Sequence, residues 1–409
     1  MTDVDNSATS NSFRAQSNSS MPWVRLIALT FAAFATVTVE MLPSGLLPQI
    51  GRGLGVDPSL VGTLVAAWAI TIVVTSMPLV RVTIGVRRGL LIPAALGVVA
   101  VSTVVMAFAP TFAVALAARV VSAAGHGVFW AVVVVYVVDI VAPERVGRAL
   151  ALVLSGPTIA GFVGLPLGTA LVDVVGWRVI FGGASVVLAI GAIALVLMLS
   201  GDNEEPDTAT SGSGVRLQWD RSAFASVGTA ISGALVLVGH FALFTYVAML
   251  ITDVAEFESS SVAVLLAVFG VCGAAGVAAS GLLSDRWPRA TLPASAVVVL
   301  SAFIALTVAP THTAVFVIAV VVWGAAVGLF PAAMQARVLR LASARFRPVA
   351  GSVVVTVLNL GVAVGAVLGA LVVGAGVAHL VPVAVLAAAL GVVGVVVFSY
   401  VPDDTTSNP

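Results

Sequence analysis

Residues 201–220 read GDNEEPDTATSGSGVRLQWD, and this one long polar stretch decides the fold. It is acidic and then Gly/Ser-rich, the composition of a flexible linker. On either side of it the chain is almost continuously apolar. Of 409 residues, 60% are hydrophobic and 9% are charged, with a mean hydropathy of +1.17. A water-soluble domain carries roughly 25% charged residues, so this chain cannot cover a soluble surface. About 20 uncharged residues span the hydrocarbon of a bilayer. Cutting at charges, Pro/Gly pairs and polar clusters gives segments beginning near residues 23, 58, 89, 112, 146 and 177, then 221, 259, 290, 312, 348 and 378. They are continuously apolar rather than alternating, which excludes transmembrane strands. The expected fold is an all-α membrane protein, with twelve transmembrane helices in two six-helix, pseudo-symmetric bundles.

The expected organisation is a Ser/Asn-rich, disordered cytosolic tail (1–21), a first bundle (22–200), the cytosolic linker (201–220), a second bundle (221–401) and a cytosolic tail (402–409). The first apolar segment, 23–47, is too long for the apolar core of a secretory signal. All 18 basic residues are Arg. With both termini cytoplasmic, 15 of them fall on cytosolic ends, Arg52 and Arg178 lie outside, and Arg119 lies within a span. That asymmetry obeys the positive-inside rule. An odd number of spans would break it in one half. The chain is therefore expected in the cell membrane as a multi-pass protein.

Composition also excludes function classes. A net charge of +0 leaves no nucleic-acid footprint, and the single Cys272 leaves no disulfide framework. There is no Walker A sequence to hydrolyse ATP, and HExxH and GxSxG are missing from any credible position. Neither a cofactor nor a metal is expected, nor is the chain read as an enzyme. The two halves do match each other. At an offset of 203, Pro78–Arg87 falls on Gly281–Ala290 and Gly125 on Gly328; at 201, Gly164 and Gly168 fall on Gly365 and Gly369. Six plus six spans related by an internal repeat is the architecture of a transporter whose site lies between the halves near the midplane.

Ionisable groups inside the spans carry the most information, since each costs at least ~2.5–3.5 kcal/mol there. Glu40 lies in the first span and Arg119 in the fourth. The two spans run in opposite directions, so both residues fall at similar depth in the outer half and are expected to pair. Burial disfavours a carboxylate and a nearby guanidinium favours it, so a moving partner or arriving solute can load or release a proton. Glu40 is thus the expected proton carrier and Arg119 its countercharge; the plainer reading is a static ion pair. His126, two turns from Arg119 on the same face, is a candidate cavity-lining residue, as are Trp130, His240, Tyr246 and Asn359. In the fifth span, Gly156, Pro157, Gly161, Gly164 and Gly168 combine close helix contact with a hinge. Gly361, Gly365 and Gly369 do the same in the eleventh.

These residues resemble a known family, the major facilitator superfamily, in its drug/proton antiporter branch. Within it the chain looks most like chloramphenicol-resistance and sugar- or nucleoside-efflux permeases. The resemblance covers roughly residues 22–401. Glu40-Met41-Leu42-Pro43-Ser44-Gly45-Leu46-Leu47-Pro48 resembles the group's Glu-x-x-x-x-Gly-Leu-Leu-Pro signature. Arg119 followed by His126-Gly127 and Phe129 resembles its fourth-span pattern, and Gly156-Pro157-x-x-Ala160-Gly161 its exporter motif. Gly239-His240-Phe241 with Thr245-Tyr246 looks like the start of the second half in these proteins. The cytosolic loop motif keeps Asp285 and Arg286 as inner-gate residues in the second half, whereas Val82 replaces the Asp in the first. The resemblance implies a secondary exporter that exchanges protons for a small organic solute by alternating access. Its expected partners are that solute, protons and the lipid bilayer, with the chain acting as a monomer. A facilitator or importer of the same fold is the alternative, and a membrane-embedded enzyme or sensor a remote one.

Overall fold

The computed structural model describes residues 21–83, 86–142, 145–199, 221–343, 346–399 and 401. The expected linker and nearly all of both tails lie outside the described residues. The first six spans are α1 (Trp23–Leu54), α2 (Pro58–Thr83), α3 (Arg88–Ala107), α4 (Phe112–Asp139), α5 and α6 (Trp177–Leu199). Helix α5 is Val146–Ile159 and Leu165–Val175 joined by a π-helical turn, Ala160–Gly164. The second six are α7 (Arg221–Phe244), α8 (Ser260–Arg286), α9 (Thr291–Val308), α10 (Thr313–Leu341), α11 (Arg347–Val373) and α12 (Leu380–Ser399). All twelve are long and apolar enough to cross a membrane. Chain breaks lie where polar or helix-stopping residues stand. Gly55 ends α1 in the left-handed conformation at φ 66°. Asp57 accepts the Ser59 N–H at 2.8 Å at the start of α2, and its bonds from Ser59 hold its carboxyl below the usual range.

Packing repeats between the halves. Helix α3 packs against α4 and α6, and α9 against α10 and α12. Helix α1 packs against α5 and α6, and α7 against α11 and α12; α2 meets α4 as α8 meets α10. The halves join through α2 against α11 and α5 against α8, two contacts that the same repeat interchanges. The glycines of α5 and α11 act where α1 and α7 cross them. A β-carbon at Gly156 would lie 2.6 Å from the Thr30 carbonyl, and one at Gly365 2.6 Å from that of Val238. Gly164 and Gly168 likewise abut Thr38 and Leu42 of α1, and Gly361 and Gly369 abut Leu237 and Tyr246. Gly161 differs, having open space where its β-carbon would stand. Its carbonyl instead abuts Gly270 of α8, where a β-carbon would lie 2.5 Å away. The residue whose smallness lets α5 and α8 meet is Gly270.

An even number of spans puts both ends of the chain on one side, here the terminal face. On the opposite, far face the halves are clamped. The Tyr246 hydroxyl donates to the Ser59 carbonyl at 3.2 Å across the interface. Val65 and Ala66 of α2 bury against Ala366 and Val362 of α11.

Candidate functional site

On the terminal side of that clamp a cavity of about 450 Å³ lies between the halves. Val37, Glu40, Met41 and Ser44 of α1 form one wall, with Trp68 of α2 and Arg119 and Trp130 of α4 beside them. Leu154 and Pro157 of α5 extend it, and Phe241 of α7 and Val362 of α11 close it from the second half. Its volume falls within the ~300–1,000 Å³ usual for small-molecule sites. Of the Glu40 side chain, 32% is exposed, although its helix is mid-bundle.

Local sequence explains how Arg119 is held. Pro43 has no N–H, so the carbonyl of Val39, four residues earlier, loses its helical partner. The buried Arg119 supplies one: its Nη1 donates to Val39 O at 2.9 Å and its Nη2 to Glu40 O at 3.0 Å. The guanidinium also lies 4.0 Å above the Trp68 ring. Among the described residues its buried Nε–H has no hydrogen-bond partner. Glu40 and Arg119 thus come together, but the bonds run to the Glu40 backbone. The ring nitrogen nearest the carboxylate is Nε2 of His126, 3.5 Å from Oε2. His126 packs edge-on against Trp68 at 5.1 Å and Trp130 at 6.3 Å between ring centroids. Its Nδ1 lies 2.9 Å from the Thr36 hydroxyl.

Three expected residues, Glu40, Arg119 and Trp130, therefore line one cavity; His126, expected beside them, is buried behind the wall against Glu40 and Trp68 rather than lining it. Three others lie elsewhere. His240 is buried among Phe241, Phe244, Phe269 and Trp323, and its Nδ1 accepts the Trp323 indole N–H at 3.0 Å. Tyr246 belongs to the far-face clamp. The Asn359 side chain donates to Val355 O at 3.0 Å, one turn back in its own helix. Asp285 is exposed on the terminal face and accepts from Arg340 of α10 at 3.2 Å, within the second bundle; Arg286 lies 5.2 Å over Trp287. Asp139, at the terminal-face end of α4, pairs with Arg88. Thr36 escaped the sequence reading. The signal was present: Thr36, Glu40 and Ser44 are spaced by four and share one helix face.

A family model described as Major Facilitator Superfamily matches residues 29–311 and 229–409. The chain belongs to the Major Facilitator Superfamily. It is a membrane transporter of that superfamily, multi-pass in the cell membrane, and the family's members are transporters rather than enzymes. A chloramphenicol efflux pump of Mycobacterium tuberculosis (strain ATCC 25618 / H37Rv) is 33% identical over 394 residues, covering 92% of each chain. A probable sugar efflux transporter of Helicobacter pylori (strain P12) is 26% identical over 362 residues, covering 88% of this chain and 90% of its own. Solved structures share the superfamily fold. A bacterial homologue of the human lysosomal transporter Spinster, inward-facing and occupied, gives a TM-score of 0.69 at 17% identity over 92% of this chain and 95% of its own. The POT-family transporter PepTSo gives 0.72 at 10% identity over 93% and 97%.

Proposed function

We propose that this superfamily member exports a small, neutral organic solute with an apolar body, of the chloramphenicol class, in exchange for protons. The observation that carries the reading is Glu40, a part-exposed carboxylate inside a membrane protein, on the wall of a cavity between the halves. A charge kept there at such cost needs a use. Protonating it removes one charge from the site, so a neutral solute and a proton can alternate without an extra buried charge. The cavity is largely apolar and aromatic, and its polar groups gather on the α1–α4 wall. Such a lining suits an apolar solute with one hydrogen-bonding end better than a sugar. The excess of Arg on the terminal face supports cytoplasmic termini, and the far-face clamp then makes this a conformation closed to the outside. The cavity is complete within one chain, so a monomer suffices. Efflux by relatives from Mycobacterium tuberculosis and Helicobacter pylori agrees with the direction.

One proton crossing the membrane contributes ~2.3 kcal/mol per 100 mV, enough for up to tens-fold accumulation. The test is discharge of an imposed pH gradient in everted vesicles on addition of chloramphenicol. The wild-type protein should discharge it and Glu40→Gln should not, with thermal unfolding nearly unchanged. Undiminished discharge by Glu40→Gln removes Glu40 from the mechanism. Chloramphenicol movement without any discharge by the wild type would make the chain a facilitator.

A further inference from the structure

We propose that Thr36 is a positioning residue that fixes the tautomer of His126 and so holds an N–H against the Glu40 carboxylate. Its consequence for transport rests on Glu40 as the proton carrier; the tautomer itself stands on geometry. Thr36 is fully buried on α1, one turn before Glu40. Thr38 of the same helix turns its hydroxyl back onto the carbonyl of Phe34 at 2.8 Å, and the Thr30 hydroxyl lies between the carbonyls of Leu26 in its own helix, at 2.8 Å, and Leu152 of α5, at 3.1 Å. Thr36 points across to α4 instead, with His126 Nδ1 at 2.9 Å. A buried hydroxyl whose proton has no acceptor incurs the full cost of its desolvation. Among the described residues Nδ1 is the partner this hydroxyl has, so Thr36 donates and Nδ1 accepts. A neutral imidazole that accepts at Nδ1 carries its proton on Nε2. Nε2 is the atom that faces Glu40 Oε2.

The tautomer sets a sign. At 3.5 Å an Nε2–H facing the carboxylate is attracted to its charge, and that attraction weakens once Glu40 is protonated. The opposite tautomer would turn a lone pair toward the carboxylate. Thr36 therefore makes the His126–Glu40 contact report the charge state of Glu40, tightening or loosening α1 against α4 as the proton comes and goes. Other groups around the ring leave this assignment alone. Helix α2 contributes Trp68 and α4 contributes Trp130, while Arg119 sits over Trp68 with its Nη atoms already bonded to backbone. From α5, α7 and α11 the cavity receives Leu154, Pro157, Phe241 and Val362, none of them titratable.

The test uses full-length protein in lipid nanodiscs with ¹⁵N-labelled histidine rings, His126 being assigned by the signal lost in His126→Asn. Wild type and Thr36→Ser should show the proton on Nε2. Thr36→Val, similar in shape but without the hydroxyl, should show a mixture or the Nδ1–H form. A wild-type ring protonated on Nδ1 overturns the proposal, and needs no variant to fold. In vesicles, Thr36→Val should displace the half-maximal pH of solute-driven gradient discharge by about half a unit or more, a roughly threefold change in proton affinity, with Thr36→Ser restoring it. A Thr36→Val profile that superimposes on wild type overturns the positioning role. The NMR measurement involves no transport, so loss of Glu40 as the carrier and loss of the tautomer are separate results.

Discussion

At Arg119 the cost of burying a guanidinium is met by two carbonyls and a ring face rather than by a carboxylate. The arrangement depends on a proline one helix away, because Pro43 frees the Val39 carbonyl that Nη1 takes. A planar fork suits two carbonyls on one helix; a lysine ammonium offers a point charge on a flexible stem. Arg119→Lys should therefore keep the charge and lose most of the transport, at least about tenfold, because the backbone beside Glu40 is no longer held. Arg119→Ala should lose transport and also unfold at lower temperature, since bonds to a charged donor contribute about 1.5–3 kcal/mol each. Transport rates and thermal unfolding in detergent check both. Wild-type transport by Arg119→Lys would show that the charge alone is enough.

At the scale of the helices, α5 and α8 meet backbone to backbone. A β-carbon at Gly270 would lie 2.5 Å from the Gly161 carbonyl and 2.6 Å from the Phe162 Cα, and neither atom can yield without moving α5. Overpacking of this kind costs about 1–3 kcal/mol, so Gly270→Ala should lower the unfolding temperature by several degrees. Gly161→Ala and Gly281→Ala place their new methyl in open space and should leave the unfolding temperature within about a degree or raise it slightly. The π-helical turn at Ala160–Gly164 lies just after Pro157, where the helical hydrogen bonds are already interrupted. Equal unfolding temperatures for Gly270→Ala and Gly161→Ala would mean that the two helices slide apart at little cost.

For the whole molecule, the repeat is kept in the packing and abandoned in the chemistry. Counting 201 residues from Glu40 reaches Phe241, which lines the same cavity; counting 203 from Arg119 and His126 reaches Val322 and Leu329. The polar machinery belongs to the first bundle and an apolar wall faces it. Opening the far face requires breaking the bond from Tyr246 to Ser59. Tyr246→Phe keeps the ring that packs on Gly62 and Gly369 but loses that bond, about 0.5–1.5 kcal/mol. The far-face-open population should rise roughly twofold to tenfold. Spin-label distances between the far-face ends of α3 and α9 would read it, and an unchanged distribution would show that the apolar contact of Val65, Ala66 and Ala366 closes that face unaided.

Twelve spans, their starting points to within three residues and their grouping around an internal repeat were all legible from apolar runs, because lipid imposes length and polarity on each segment separately. That Glu40 and Arg119 stand at one depth was legible too, since the first and fourth spans run in opposite directions. Which groups touch was not. The Arg119 bonds to backbone, the enclosure of His240 by Trp323, the bond of Asn359 to its own helix and the need for glycine at 270 depend on how helices rotate and cross. Rotation is set by the sum of many side-chain contacts between distant segments, and no local pattern in the chain records it.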